Sequence, residues 1–284
     1  MNKKIKMVMS TISPSLMTRI MYFHNFHKPL NTRSPKDINE KLQYLKLKTY
    51  YNNSTVTRCV DKYKVRDYIK EQGLSELLPN FIGAGSDAEE IREHWDEYPN
   101  QFVIKCNHGC GYNILVSDKR KFDVNDVVAT ISNWLREDYW KIYCEPQYKD
   151  VPKRFIIEEY LADDIKTYKF YCFNGSPEVC YISTNGENGE KDLYLDYFDM
   201  DWNWLPITLE GHEHDKQKIE KPIGFEKMKK LAAQLSKDFP FVRVDLYDVE
   251  GKVYFSELTF IPTGGNMKLT PASVLNEWGN KLKL

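Results

Sequence analysis

Arg243, Asp245, Glu257 and Thr259 are the residues whose types and spacing most directly allow chemistry. They lie in Phe241-Val-Arg-Val-Asp-Leu-Tyr-Asp-Val-Glu-Gly-Lys-Val-Tyr-Phe-Ser-Glu-Leu-Thr259, where apolar residues alternate on both sides of a turn-rich Asp248-Val-Glu-Gly251. Read as two strands, this segment places Arg243 and Asp245 on one face of the first and Glu257 and Thr259 on one face of the second. Pairing the strands brings a guanidinium, two carboxylates and a hydroxyl onto one surface. Two hard oxygen donors beside a fixed cation suit Mg²⁺ bridging the phosphates of a nucleotide. The competing reading is an antiparallel hairpin with a solvated, charged outer face.

A second segment, Gln101-Phe-Val-Ile-Lys-Cys-Asn-His-Gly-Cys-Gly-Tyr-Asn-Ile-Leu-Val116, reads as a buried strand ending at Lys105, a loop with spaced glycines, and another strand. Gly109 and Gly111 let the backbone approach an anion, and consecutive N–H groups can cradle phosphate. Neither the Walker spacing nor the dinucleotide-binding glycine fingerprint is present. Lys105 follows Phe-Val-Ile, so without a ligand it is a charge at the end of a buried strand.

Taken in order along the chain, these segments resemble the ATP-grasp superfamily and, within it, the TupA-like family of bacterial polysaccharide-biosynthesis proteins. The resemblance runs from about Leu30 to Gly265. Asn31-Thr-Arg-Ser-Pro-Lys-Asp-Ile-Asn-Glu-Lys-Leu42 looks like the family's entry segment, and Asp61-Lys-Tyr-Lys-Val-Arg-Asp-Tyr68 like the opening of its first helix. Phe102-Val-Ile-Lys-Cys-Asn-His-Gly109 matches the second lysine and its loop. Glu158-Glu-Tyr-Leu161 looks like the hinge, and Tyr168-Lys-Phe-Tyr-Cys-Phe-Asn-Gly175 like the strand that follows. The resemblance implies an α+β ATP-grasp fold, in which two α+β subdomains grip ATP between antiparallel sheets, here with a basic N-terminal extension.

It also implies roles. Lys62 and Lys105 reach the phosphates and adenine, as compact point charges suited to phosphate. Asn107, His108, Gly109, Gly111 and Asn113 belong to the loop around the nucleotide. Glu158, Glu159, Tyr160 and Leu161 form the hinge against adenine, with Glu159 or Asp164 holding the ribose. Asp245, Glu257 and Thr259 hold Mg²⁺. Arg243 and Lys169 are catalytic, Arg243 gripping the transferred phosphoryl group or the tetrahedral oxyanion. Two positions depart from the pattern. Thr167 stands where family members carry Asp before Tyr-Lys-Phe. Thr259 stands where many ATP-grasp enzymes carry Asn, although Thr is usual in the TupA-like branch.

Composition narrows the classes. The chain has 284 residues, 29% of them charged and 14% aromatic, with a net charge of −1, which suits a globular protein and gives no overall field for nucleic acid. No stretch approaches the roughly 18 apolar residues of a membrane span. The basic, apolar start is interrupted by Pro14 and polar residues, against a secretory signal. Six scattered cysteines form no small-domain framework and suit free thiols in a reducing cytoplasm. Cys106-x-His108-x-Cys110 is too closely spaced for the paired ligands of zinc sites. His108 reads either as a loop residue near phosphate or as a structural donor.

Four regions follow: a basic N-terminal segment 1–55, N-terminal subdomain helices 56–100, a small lobe 101–160 with the glycine loop, and a large lobe 161–284 with the metal hairpin. The first carries ten Lys and Arg against Asp37 and Glu40, a balance of +8. Its helical pattern over 37–49 faces either an anionic glycan or membrane leaflet, or the protein body with a solvated basic side. Helices are expected over 61–72 with Asp61 as its N-cap and Gly73 as its stop, over 123–137 and over 225–237, with strands dominating 155–208. The stretch 185–212 reads as an irregular insertion and 209–221 as a polar mobile loop with exposed His212 and His214.

The implied reaction is ATP-dependent carboxylate–amine ligation through an acyl phosphate, possible partners being a sugar acid and an amino acid in capsular or O-antigen polysaccharide biosynthesis. It places the chain in the cytoplasm, with the basic segment available to the inner membrane face. Three alternatives are a glycosyltransferase, for which Asp199-Met-Asp201 is the available metal-binding pair, a kinase-type phosphotransferase, and a non-catalytic binding protein, against which the retained lysines and metal carboxylates argue.

Overall fold

The protein, seen in a computed structural model, is described for residues 2–163, 165–186, 189–215 and 219–284, without the side chains of 185–186 and 189–192. Asp164, one ribose candidate, lies outside the described residues. In chain order the elements are α1 (Lys3–Ile12), α2 (Pro14–Phe26), α3 (Ile38–Leu47), α4 (Ser54–Val60), α5 (Val65–Glu71), β1 (Phe81–Gly85), α6 (Glu89–Glu93), β2 (Phe102–Cys106), β3 (Asn113–Val116), α7 (Val124–Arg136), α8 (Tyr139–Tyr143) and β4 (Phe155–Glu159). There follow β5 (Thr167–Phe173), β6 (Ser176–Gly186), β7 (Gly189–Phe198), β8 (Trp204–Leu205), β9 (Thr208–Leu209), α9 (Phe225–Ser236), β10 (Phe241–Val249), β11 (Lys252–Thr259), β12 (Leu269–Thr270) and α10 (Ser273–Lys281). They form two compact units, Met1–Ile12 with Asn52–Asp164, and Ser13–Tyr51 with Ile165–Leu284.

The first unit is built on an antiparallel sheet of order β1-β4-β2-β3. Period-two alternation sends Phe102, Ile104 and Cys106 of β2 and Phe155 and Ile157 of β4 into a core. Helix α7 closes that core with Val127, Val128 and Ile131, and Asp123 starts the helix by accepting from Asn125 N. The other face of the sheet carries Val103, Lys105, Ile156 and Glu158.

One expectation is corrected here. The helix predicted over 61–72 begins at Val65, and a separate α4 precedes it. Asp61 is no N-cap of α5. Its Oδ1 accepts from Tyr63 N at 2.8 Å and Lys64 N at 3.3 Å, closing a turn between the two helices.

The second unit contains a six-stranded antiparallel sheet of order β11-β10-β5-β6-β7-β8. Both hairpins framing the site turn on residues with positive φ: Asn174 and Gly175 at 51° and 82°, Glu250 and Gly251 at 52° and 86°. That pair of conformations matches the twist of the flanking strands and explains Asn-Gly and Glu-Gly there. One face packs Phe170, Cys180, Val244 and Leu246 beneath α9, whose Met228, Leu231 and Leu235 point inward as their spacing predicts. The opposite face carries the charged residues of the hairpin.

The N-terminal helical pattern over 37–49 is α3, capped by Asp37, which accepts from Glu40 N. Its Ile38, Leu42, Leu45 and even Lys46 are buried, so it is a helix of the body. The expected irregular insertion 185–212 is largely sheet, since β6 and β7 pair along most of their length. Nor are His212 and His214 exposed-loop residues: their Nδ1 atoms lie 3.0 Å from Leu193 O and Leu195 O, which ties this segment to β7. Trp202 is half-buried, stacked on Phe198 at 4.2 Å and edge-on to Phe225.

Candidate functional site

In the first unit, α5 and the β2–β3 loop bring together several predicted residues. Lys62 donates its Nζ to Gly109 O, which anchors the loop to the turn before α5. Lys105 Nζ donates to Glu158 Oε2 at 2.9 Å, and Arg66 Nη1 donates to Glu158 Oε1. Glu158 is buried between these two cations, so its side chain organises the face. Glu159 accepts from Asn80 N and Asn80 Nδ2 at 2.9 and 2.7 Å. Tyr160 donates its hydroxyl to Asp163, and Leu161 is half-buried beside it.

The loop divides into residues that hold it and residues that face out. Asn107 is fully buried: its Nδ2 donates to Asp61 Oδ1 and Pro152 O, and its Oδ1 accepts from Arg154 N. Its side chain secures the loop and has no face towards a ligand. His108 is likewise buried, with Nε2 3.1 Å from Trp134 O, and burial pushes its pKa down to about 4. The structural-donor reading of His108 is therefore the one its geometry takes. Cys106 faces the apolar core while Cys110 is exposed, so the Cys-x-His-x-Cys run does not converge. Gly109 is required by packing, since a Cβ there would meet the Tyr139 ring at 2.6 Å. Gly111 sits at φ +76°, and Asn113 is exposed across from Lys105 in the β2–β3 register.

In the second unit, β10, β11 and β5 carry the remaining set on one face. Arg243 grips Asp245 twice, Nε to Oδ1 at 2.7 Å and Nη2 to Oδ2 at 2.6 Å. Its Nη2 also donates to Glu257 Oε1 at 2.8 Å and Thr259 Oγ1 at 3.0 Å, and its Nη1 to the Tyr181 hydroxyl at 3.1 Å. Thr259 in turn donates to Glu257 Oε1 at 2.9 Å. Lys169 stands opposite Asp245 in the β5–β10 register, 3.0 Å from Ser183 Oγ and above the Tyr181 ring. The guanidinium is thus fixed in a plane by four different side chains.

Electrostatics on this face follow from burial. The Asp245 side chain is 1% exposed and Glu257 27%. Burial raises the Asp245 carboxyl to about 6, Glu257 adds to the rise, and Arg243 opposes it. Arg243 is held firmly protonated by the carboxylates even though burial alone would lower it. Burial also raises the Tyr181 hydroxyl well above its ordinary value, which keeps it neutral and able to hydrogen-bond. The donor set, two carboxylates and a hydroxyl, fits Mg²⁺ completed by phosphate oxygens, with Glu257 the accessible carboxylate of the set and Asp245 the buried one.

Sequence reasoning missed Arg66, Asp61, Asn80 and Tyr181 as parts of these sets. Arg66 carries no signal in helical spacing, since Lys62, four residues before it, lies in the turn ahead of α5. Tyr181 carries none, because the β5–β6 register had to be known first. Asp199-Met-Asp201 is a turn: Asp199 Oδ1 accepts from Asp201 N and Asn203 N at 2.9 and 2.8 Å, and its Oδ2 from Asn203 Nδ2. Among the described residues no group of three or more His, Cys, Asp or Glu is placed to hold a metal on its own.

This α+β architecture, antiparallel sheets bearing lysines and a carboxylate hairpin, is that of the ATP-grasp class. The chain belongs to the TupA-like ATP-grasp family, whose model (TupA-like ATPgrasp) matches residues 40–283. A comparison with curated proteins found no match. Among solved structures, the chain is similar to the D-alanine–D-alanine ligase of Bacillus anthracis complexed with ATP, at 17% identity and TM-score 0.46, covering 72% of this chain and 56% of that one. It is also similar to the ATP-grasp ligase PsnB complexed with minimal precursor, at 12% identity and TM-score 0.43, covering 82% and 63%. A third likeness is to the phosphoribosylamine–glycine ligase of Thermotoga maritima, at 14% identity and TM-score 0.39, covering 72% and 48%. The chain spans less than two thirds of the length of each of these proteins.

Proposed function

We propose that this protein is an ATP-dependent carboxylate–amine ligase. The observation that carries the reading is the Arg243 clasp with Asp245, Glu257 and Thr259, a preorganised cation and oxygen-donor set on one sheet face. Membership of the ATP-grasp family supports ATP as the substrate nucleotide. The reaction moves the γ-phosphoryl group of ATP onto a carboxylate, giving an acyl phosphate and ADP. An amine then attacks the acyl carbon, the C–O bond to phosphate breaks, and the nitrogen loses a proton to leave an amide.

The residues divide the work by charge. Lys62 and Lys105 are the cations for the phosphates and adenine, with Gly109, Gly111 and Asn113 shaping the loop. Glu158 keeps Lys105 in place, and Glu159, Tyr160 and Leu161 line the hinge. Arg243, its fork held by Asp245, offers a fixed positive charge to oxygen atoms that gain charge during transfer, a large electrostatic contribution when the cation is positioned beforehand. Lys169, opposite Asp245, adds a second cation on that face. Glu257, Asp245 and Thr259 are the ligands for Mg²⁺, which when bound neutralises phosphate charge as a Lewis acid.

The finer reading sets this activity in cell-surface polysaccharide biosynthesis, joining an amino acid to a sugar acid in the cytoplasm. It draws on the family's character, and a net charge of −1 gives the chain no overall field for nucleic acid. The test is ADP release by purified protein with Mg-ATP, screening sugar acids against amino acids with each component omitted in turn. Release that requires both a carboxylate and an amine supports ligation. ADP formed with one acceptor alone and a stable phosphorylated product indicates a kinase. A folded sample whose melting temperature does not move with millimolar Mg-ATP overturns the nucleotide reading, since a ligand bound only to the folded state stabilises it.

A further inference from the structure

Among the described residues of its unit, helix α1 carries the largest run of exposed aliphatic side chains. Ile5, Val8 and Ile12 are 51%, 58% and 78% exposed. At 100° per residue they fall within about 60° of one another, with half-buried Met9 beside them, so they form one stripe along the helix. Single exposed apolar residues need no explanation, but an aligned stripe marks an interaction surface.

The helix is held in place by its other side. Ser10 is fully buried, α1 packs on α8, and Lys3 Nζ donates to Glu137 Oε1 at 2.6 Å. Glu137 also accepts from the Tyr112 hydroxyl at 2.6 Å, which ties the anchor to the aromatic core. The stripe therefore faces away from the anchored side on a helix already formed.

Charge selects the occupant. Lys3-Lys-Ile-Lys-Met-Val-Met-Ser-Thr-Ile12 contains three lysines and no acidic residue. Lys4 borders the stripe on the Val8 side and Lys6 on the Met9 side, by the same helical spacing. An apolar arc flanked by lysines is the pattern of a helix lying in the plane of an anionic bilayer, its aliphatic side chains in the headgroup boundary and its ammonium groups among lipid phosphates. Among the described residues no helix is long and apolar enough to cross a membrane, so the contact is peripheral.

We propose that α1 is a membrane-surface helix that docks the protein on anionic phospholipid through Ile5, Val8 and Ile12, with Lys4 and Lys6 at its edges. This moves the membrane contact away from α3, whose apolar side chains are buried in the body. It does not depend on the ligase reading, and its test involves no turnover.

The experiment is co-sedimentation of the full chain with vesicles of phosphatidylcholine alone or with one third phosphatidylglycerol. The proposal expects binding to the anionic vesicles, weakened by salt, and at least about tenfold weaker binding to the neutral ones. An Ile5→Ser, Val8→Ser, Ile12→Ser triple variant and a Lys4→Glu, Lys6→Glu double variant should each lose about tenfold or more, with unchanged melting temperatures because these side chains lie outside the core. Unaltered vesicle binding in both variants overturns it. So does a failure to bind anionic vesicles, including the case where the wild type instead forms a dimer that the triple serine variant dissolves, which would assign the stripe to a second copy of the chain.

Discussion

Arg243 and Asp245, two residues apart on one strand, are joined by two parallel hydrogen bonds of 2.7 and 2.6 Å. The pairing fixes the guanidinium plane so that the remaining N–H groups meet Glu257, Thr259 and Tyr181. Lysine keeps the charge but lacks the fork and cannot make these contacts together. Arg243→Lys should therefore lower ADP release on the order of a hundredfold. Rates within a few-fold of wild type would remove Arg243 from the chemistry.

Asp245 and Glu257 should separate in stability but not in activity. Asp245 is enclosed, and breaking a buried ion pair costs about 3 kcal/mol or more. Glu257 keeps 27% of its side-chain surface exposed, so Glu257→Gln should cost about 1 kcal/mol or less. Both Asp245→Asn and Glu257→Gln should abolish turnover, and the double variant should be no worse than either, since one ligand set is disabled. Denaturant titration and ADP release measured on the same samples check the two halves. Equal stability losses would contradict the burial argument.

The hairpin was legible because alternation and a Glu-Gly turn are local signals, and β10 and β11 run where the pattern puts them. The neighbours of the hairpin were not legible. Lys169 and Tyr181 reach Arg243 and Asp245 through the registers of β5 with β10 and β6, which depend on pairing at long sequence separation. Helix α3 shows a different limit. Lys46 reads as part of a solvated basic face, yet its Nζ donates to Gly264 O and it is buried, because a distant loop supplies the acceptor. Asn107 and His108 look like ligand contacts in a glycine loop, but Asp61, Pro152 and Arg154, all far away in sequence, take up the Asn107 side chain, and His108 Nε2 is turned to Trp134 O.

His108 predicts a pH dependence in the first unit. Its folded-state pKa lies near 4, below the ordinary 6.5, because burial disfavours the imidazolium. Above pH 6.5 the ring is neutral folded or unfolded. As pH falls below 6.5 the unfolded chain takes up the proton first, so stability drops until about pH 4, where the folded state is protonated too. Between pH 6.5 and 5 the loss from this residue should reach about 2 kcal/mol. A His108→Gln variant should show a flatter profile, and an unchanged slope would mean the loss arises elsewhere.

Gly109 should not tolerate a side chain. A Cβ there would sit 2.6 Å from the Tyr139 ring, and this glycine's carbonyl receives Lys62. Gly109→Ala must displace the ring or the loop, costing about 1 to 3 kcal/mol as overpacking does. Nucleotide affinity should weaken as well, measured by the thermal shift with Mg-ATP. Gly111→Ala is the contrast: nothing lies near its Cβ, and its cost comes only from φ +76°.

Lys105 and Glu158 carry the last prediction. Lys105 donates to a buried carboxylate that also holds Arg66, so the pair is a structural contact and, in the proposed site, the support for the cation offered to nucleotide. Removing the lysine leaves Glu158 with Arg66 as partner, whereas removing the carboxylate charge leaves two cations facing each other across a buried site. Glu158→Gln should thus destabilise the first unit by about 3 kcal/mol, and Lys105→Ala by appreciably less. Nucleotide binding should respond in the opposite order: Lys105→Ala should weaken it by tenfold or more at about 1.4 kcal/mol per decade, while Glu158→Gln, which keeps the lysine, should weaken it less. Calorimetric titration with Mg-ATP alongside urea unfolding separates the two effects. If Lys105→Ala unfolds the protein yet leaves nucleotide affinity intact, Lys105 is a structural partner of Glu158 and no part of the nucleotide site.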